Sequence, residues 1–100
     1  MAFTEIRTYE IFEGKMDEWV TLMTQEIVPF QTEVGMKITG LYRSEDDTRF
    51  VWTRDFDSEA VREAQYAAVY QSDRWKNEIG PRVRQCIDLE TMKVVRGVKV

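Results

Sequence analysis

The stretch Phe50-Val51-Trp52-Thr53-Arg54-Asp55-Phe56 decides how the rest of the chain must be arranged. Its aromatic and β-branched residues alternate with a period of two, which is typical of a β-strand. Side chains of a strand point alternately to opposite faces, so one face carries Phe50, Trp52, Arg54 and Phe56. Neither face is plainly polar. A strand with side chains to bury on both faces is usually an interior strand of its sheet.

Three other segments show strand-like alternation: residues 4–11, 36–45 and 91–98. In the first, one face would carry Glu5, Arg7, Tyr9 and Ile11. Gly40 lies in the middle of the second and suggests a bulge or the close approach of another backbone. The polar turn 45–48 joins that segment to the stretch 50–56, which predicts that these two strands are antiparallel neighbours.

Two helical regions separate the strands. Apolar residues recur at steps of three and four from Lys15 onward, which predicts an amphipathic helix that Pro29 kinks or ends. A second helix should begin at Asp57 or Ser58 and run to about Tyr70, with alanines that let it pack closely on the sheet. A further helical piece should begin at Ser72, with Gly80-Pro81 as an interruption.

The resulting order is strand, helix, strand, strand, helix, strand. This predicts an α+β protein with the ferredoxin-like βαββαβ arrangement, a single domain over residues 1–100. Two helical layers cover only one face of a four-stranded antiparallel sheet, and we expect the other face to expose Trp52 and Phe56. A patch that large is unusual on a monomer, so the sequence predicts a homodimer that hides it.

Composition excludes several classes of partner. The 100 residues carry a net charge of −4 without a Lys/Arg cluster, which argues against nucleic acid and anionic membranes. No apolar run is long enough to span a bilayer, and the first residues lack the form of a signal peptide. A single cysteine, Cys86, rules out an internal disulfide and favours a cytoplasmic location.

The chain contains no histidine. This excludes Ser-His-Asp and Cys-His nucleophilic systems, histidine bases and histidine-ligated zinc or haem. Acid–base chemistry would therefore depend on Asp, Glu, Tyr or Lys. The acidic pairs at 46–47 and 57–59 lack metal-ligand spacing, so no metal and no cofactor is expected.

Several segments together resemble the NIPSNAP family, within the larger group of dimeric α+β-barrel proteins. The resemblance is carried, in order, by residues 5–9, 14–19, 40–45, 50–59, 70, 75–76 and 93–96. It implies a ferredoxin-like fold and a dimer whose sheets form a barrel. It does not imply one reaction, because relatives include monooxygenases, haem-degrading enzymes, cyclases and isomerases.

The candidate pocket residues lie on the first and third strands. Arg7, Tyr9, Trp52 and Arg54 form the predicted ligand-binding set, with Glu5, Tyr42 and Phe56 nearby. Guanidinium groups among aromatic rings suit a small anionic, phenolic or quinonoid molecule. The alternative interpretation is structural: both arginines pair with neighbouring carboxylates, and Trp52 belongs to the core.

Two functional hypotheses follow. As an enzyme, the protein would be a cofactor-independent monooxygenase or isomerase, with Arg54 and Tyr9 as the catalytic candidates. Tyr9 or Tyr42 would donate a proton if an arginine lowered its pKa, and Arg7 or Arg54 would stabilise an enolate or phenolate. As a non-catalytic protein, it would be a ligand-binding or protein-interaction module with a structural polar interior.

Overall fold

The computed structural model describes all residues, 1–100, and confirms the predicted ferredoxin-like α+β fold. Four strands form one antiparallel sheet in the order β2-β3-β1-β4: β1 (Phe3–Ile11), β2 (Lys37–Arg43), β3 (Arg49–Phe56) and β4 (Ile87–Gly97). The stretch 50–56 thus lies in an interior strand beside β1. The last strand begins at Ile87, four residues before the segment in which alternation is evident.

The helices cover one face of this sheet. The first helical region consists of α1 (Met16–Leu22), a π-helical turn (Met23–Ile27) and α2 (Val28–Glu33). The second consists of α3 (Glu59–Tyr70), a π-helical turn (Trp75–Ile79) and α4 (Gly80–Cys86). Ser58 caps α3, because its hydroxyl accepts a hydrogen bond from the backbone N–H of Val61.

The prediction that proline ends or interrupts both helical regions is wrong. Pro29 and Pro81 each follow a π-helical turn and stand in the first turn of the next α-helical segment, where a missing N–H costs little. In each case the wide turn closes with an N–H to the carbonyl five residues back, from Val28 to Met23 and from Gly80 to Trp75. The helix therefore continues through the proline.

The expectation that Trp52 and Phe56 lie on the open face of the sheet is wrong. Phe50, Trp52, Arg54 and Phe56 all face the helices and are at most 3 % exposed. The bulkiest side chains of β3 form the core, since only that face has helices to pack against. The opposite face, called here the open sheet face, carries mostly β-branched side chains and one tyrosine: Ile6, Thr8, Tyr42, Val51, Thr53 and Val95.

A bulge in β2 determines where its side chains point. The pairing with β3 shifts between Ile38 and Gly40, as predicted from the glycine. The Tyr42 ring folds back over this glycine, so that a Cβ at position 40 would lie 2.8 Å from the ring edge. Leu41 consequently pairs with Trp52 on the helix side, and Tyr42 lies on the open sheet face.

Candidate ligand-binding site

A buried ion pair joins the two central strands. The register of β1 and β3 places Glu5 directly opposite Arg54, and both side chains face the helices. Arg54 Nη2 lies 2.6 Å from Glu5 Oε1, and neither side chain is exposed to solvent. Opposite charges on neighbouring strands stabilise the register of the two strands. Because the pair is buried, removing either residue would leave an uncompensated charge in the interior.

Both Nη groups of the Arg54 guanidinium are engaged within the protein, whereas its Nε is buried without a hydrogen-bond partner. Its Nη1 donates to Gln31 Oε1 and to Tyr70 Oη, each at 2.9 Å, and its Nη2 also donates to Tyr66 Oη at 2.7 Å. The group lies over the indole of Trp52, 4.5 Å from the ring centroid. Arg54 therefore ties the sheet to α2 and α3 through its two Nη groups, and it does not line the cavity described below.

The carboxylate of Glu5 is shared by several donors. It accepts hydrogen bonds from Arg54, from Arg62 Nε at 3.1 Å, and from the Tyr66 hydroxyl at 2.6 and 2.8 Å. Arg7 Nε is 3.2 Å away without the alignment of a hydrogen bond. Burial alone would raise the pKa of Glu5, but Tyr66, Arg54 and Arg7 outweigh it and lower the pKa to about 2.

A cavity of about 160 Å³ lies beside this network, between the sheet and the helices. Aromatic and aliphatic side chains form most of its wall, and all three tryptophans of the chain contribute to it. The residues that line it are Arg7, Tyr9, Trp19, Met23, Ile27, Trp52, Tyr70, Trp75, Gly80, Val83, Arg84, Ile87, Leu89 and Met92. A mostly apolar hollow with a few polar groups is the usual form of a small-molecule site.

Tyr9 is held with its hydroxyl as an acceptor of two hydrogen bonds. Trp52 Nε1 donates to Tyr9 Oη at 2.9 Å, and Arg7 Nη1 donates to it at 3.2 Å. The phenolic proton has no acceptor in the protein. Burial raises the pKa of Tyr9 and outweighs the nearby charge of Arg7, so the phenol is neutral near pH 7. The prediction that Tyr9 donates a proton required an arginine to lower its pKa, and the pKa is raised instead.

Two other side chains of the cavity wall also have unused donors. The hydroxyl of Tyr70 accepts from Arg54 and, at 3.5 Å, from Gln31, and its own proton has no protein acceptor. Trp19 is 2 % exposed, and its indole Nε1 has no hydrogen-bond partner. Tyr9 and Trp19 are buried, Tyr70 is half-buried, and buried donors in native proteins nearly always have an acceptor, from the protein, bound water or a ligand.

Both π-helical turns contribute to the cavity wall. Met23 and Ile27 come from the first turn, and Trp75 from the second. Gly80 allows the second turn to close, since a Cβ there would lie 2.8 Å from the carbonyl oxygen of Trp75. Single π-helical turns occur frequently at functional sites because they redirect side chains within a helix.

Six of the seven predicted site residues lie on the helix side of the sheet, in three groups. Arg7, Tyr9 and Trp52 line the cavity together. Glu5 and Arg54 form the adjacent buried network, and Phe56 packs in a separate small core cluster. These three do not line the cavity.

Tyr42 does not belong with the other predicted site residues. The sequence predicts Tyr42 near the ligand-binding set, but in the structure it is 62 % exposed on the open sheet face. The bulge before Gly40 turns its side chain away from the helices, so it cannot act at this cavity.

Sequence reasoning missed the residues that helix packing adds. Arg62, Tyr66 and Tyr70 recur at steps of four on α3, which places them in one stripe facing the sheet. That spacing could have identified them. The four alanines of α3, which were expected to pack on the sheet, are exposed instead. Gln31 has no comparable signal in its local sequence.

Other candidate chemistries find little support in the structure. The thiol of Cys86 donates to Glu18 Oε2 at 3.0 Å, and burial together with this carboxylate raises the thiol pKa to about 12, unlike that of a reactive cysteine. No group of three or more His, Cys, Asp and Glu side chains could hold a metal ion. None of the helices has the length and apolar character needed to cross a membrane.

Comparison with known proteins identifies close structural relatives. A family model described as NIPSNAP matches residues 4–99. A NIPSNAP family protein from Agrobacterium tumefaciens has a TM-score of 0.85 at 21% identity, with 100% of this chain and 94% of that chain covered. An uncharacterized NIPSNAP domain protein from Burkholderia xenovorans has a TM-score of 0.83 at 23% identity, with 98% and 94% covered. No curated protein matches the chain.

Proposed function

We propose, from the premise that this chain belongs to the NIPSNAP family, that it binds a small organic molecule in the cavity between its sheet and its helices. The family and the fold do not specify a ligand, because the two relatives named above share 21% and 23% identity with this chain, which shows the fold alone. The proposal rests on one observation: the cavity is lined by all three tryptophans and contains buried donors without acceptors.

The size of the cavity limits the ligand. A hollow of about 160 Å³ is close to the ~150 Å³ that accommodates one benzene ring in an engineered protein core. Trp19, Trp52 and Trp75 offer ring faces and edges against which a flat apolar body can pack. We therefore expect a molecule with one ring, or a short chain of similar volume.

Binding should change the tryptophan fluorescence of the protein. Because every tryptophan lines the cavity, benzoate or benzyl alcohol at millimolar concentration is expected to give a saturable change in emission. Val83→Phe places a ring in the cavity and should weaken the binding of both probes about tenfold or more. N-acetyltryptophanamide in the same titrations controls for direct quenching.

The absence of a saturable change with either probe would contradict the proposal. Equal binding to wild type and to folded Val83→Phe would show that the probes bind elsewhere. Val34→Phe provides the matched control, since Val34 is half-buried and does not line the cavity. Thermal unfolding of both variants establishes that they are folded.

The enzymatic form of the proposal is a cofactor-independent monooxygenase or isomerase acting on the molecule held in the cavity. Arg7 is the residue placed to stabilise an enolate or phenolate there, because it lines the cavity and Arg54 does not. The raised pKa of Tyr9 suits a hydrogen-bond donor better than a proton-transfer group. The geometry therefore supports binding more directly than turnover, and catalysis stays a prediction.

The proposal includes a homodimer formed through the open sheet face. Light scattering at micromolar concentration should give a mass of twice 11.9 kDa. Val95→Glu places a charge on the open sheet face, where Val95 is 59 % exposed, and should shift the protein toward monomer. Its neighbour Val94 points to the other face, so Val94→Glu should leave the mass unchanged. A wild-type mass near 11.9 kDa would contradict the dimer.

A further inference from the structure

We propose that the molecule bound in this cavity is an organic anion whose charged oxygen is held by Arg7 and Tyr9. The inference rests on the proposed binding function and adds the chemical class of the ligand. It is argued from three properties of the cavity: its unused hydrogen-bond donors, its uncompensated charge and the adjacent positions of Arg7 and Tyr9.

The side chains of the cavity offer free donors and no charged acceptor. The phenolic protons of Tyr9 and Tyr70 and the indole N–H of Trp19 have no acceptor in the protein. Arg7 uses Nη1 for Tyr9, and its Nη2 makes no hydrogen bond. No Asp or Glu lines the cavity. A ligand that satisfies these groups must supply acceptors, which an ionised carboxylate, enolate or phenolate does.

The buried charge around the cavity is positive. Arg7, Arg54 and Arg62 all lie within 4 Å of the single carboxylate of Glu5. Arg54 neutralises Glu5 in the interior, and Arg62 also has Glu59 at 3.5 Å. The side chain of Arg7 is only 14 % exposed and is left without a carboxylate of its own. An anion beside Arg7 would supply the missing counter-charge, and partial burial strengthens the attraction between the two charges.

Arg7 and Tyr9 are neighbouring polar groups of the cavity wall, and a further arginine of the wall, the exposed Arg84, belongs to α4. Arg7 and Tyr9 come from β1, whereas Val83 and Ile27 come from the helices. The guanidinium edge and the phenol hydroxyl are joined by a hydrogen bond of 3.2 Å, so both can reach the same oxygenated group. Such an arrangement fits a one-ring or short-chain acid with its charged group toward β1.

The test compares an anion with a neutral molecule of similar shape. In fluorescence titrations near pH 7, benzoate should bind wild type at least about tenfold more tightly than benzyl alcohol. Arg7→Met keeps the apolar stem of the side chain and should remove this preference, because it lowers the affinity for benzoate about tenfold more than the affinity for benzyl alcohol. Arg7→Lys retains the charge and should keep part of the preference for benzoate, and it serves as the second variant if Arg7→Met fails to fold.

The control is Arg82→Met, which makes the same change in net charge on an exposed arginine that does not line the cavity. It should leave both affinities unchanged. Equal binding of the two probes to wild type, or a benzoate preference that survives Arg7→Met, would overturn the anion assignment while the binding function stands. If neither probe binds, the binding function fails and this inference fails with it.

Discussion

Replacing Glu5 by glutamine is expected to lower the free energy of unfolding by about 3–5 kcal/mol. The substitution keeps the size of the side chain but removes the one carboxylate that Arg54, Arg62 and Arg7 share in the interior. A domain of this size has about 5–15 kcal/mol of stability in total, so the variant should be at the edge of folding at room temperature. Urea unfolding followed by circular dichroism measures the loss.

Glu10→Gln is the matched control. Glu10 lies on the same strand, is exposed, and is 4.0 Å from Arg49. Its loss should cost less than about 0.5 kcal/mol, as is usual for an exposed pair. A loss for Glu5→Gln as small as that for Glu10→Gln would contradict the account of the buried network.

The stabilising effect of Glu5 should depend on pH in a defined direction. Its pKa in the folded protein is about 2, below the value of about 4.3 in an unfolded chain, so folding favours the ionised form. The contribution is complete above about pH 5 and is lost as the pH falls toward 2, with a total of about 3 kcal/mol. The stability difference between wild type and Glu5→Gln should therefore shrink as the pH falls through this range.

Arg54→Met is expected to act on stability rather than on a ligand. It leaves Gln31 Oε1 without its donor and removes the closest positive charge from buried Glu5, for a loss of about 3 kcal/mol or more. Because Arg54 does not line the cavity, any variant protein that remains folded should still bind benzoate. Urea unfolding and the fluorescence titration test the two statements separately.

A double-mutant cycle separates the ion pair from its surroundings. Glu5→Leu combined with Arg54→Met removes both charges, and its loss should be smaller than the sum of the two single losses by about 1–3 kcal/mol. Additive losses would show that the pair contributes no coupling. The Arg54→Met variant also tests the site assignment: if the folded variant no longer bound benzoate, Arg54 would be a ligand-binding residue, as the sequence predicts.

The strand pattern could predict which side chains share a face but not which face the helices cover. Alternation grouped Trp52, Arg54 and Phe56 correctly, because strand geometry has a strict period of two. Whether that group faces helices or solvent depends on long-range packing. The apolar bulk of the group was interpreted as a dimer surface, whereas it forms the core within one chain.

The function of Arg54 could not be derived from β1 and β3 alone. Two of its partners, Gln31 and Tyr70, come from helices that are 23 and 16 residues away along the chain. Only the packing of both helices on the sheet shows that both Nη groups of Arg54 are engaged within the protein. The position of Tyr42 could not be predicted for a different reason. Gly40 indicates a bulge in β2, but the size of the register shift depends on how β2 pairs with β3. That shift reverses which face of the sheet each following side chain occupies.

The most direct test of the account is a crystal structure of the protein grown with benzoate. We predict electron density for the molecule in the cavity between the sheet and the helices, with its carboxylate within hydrogen-bond distance of Arg7 Nη2 and Tyr9 Oη and its ring against the tryptophans. A cavity closed by the protein's own side chains, or benzoate bound only outside it, would contradict the assignment of this cavity as a ligand site.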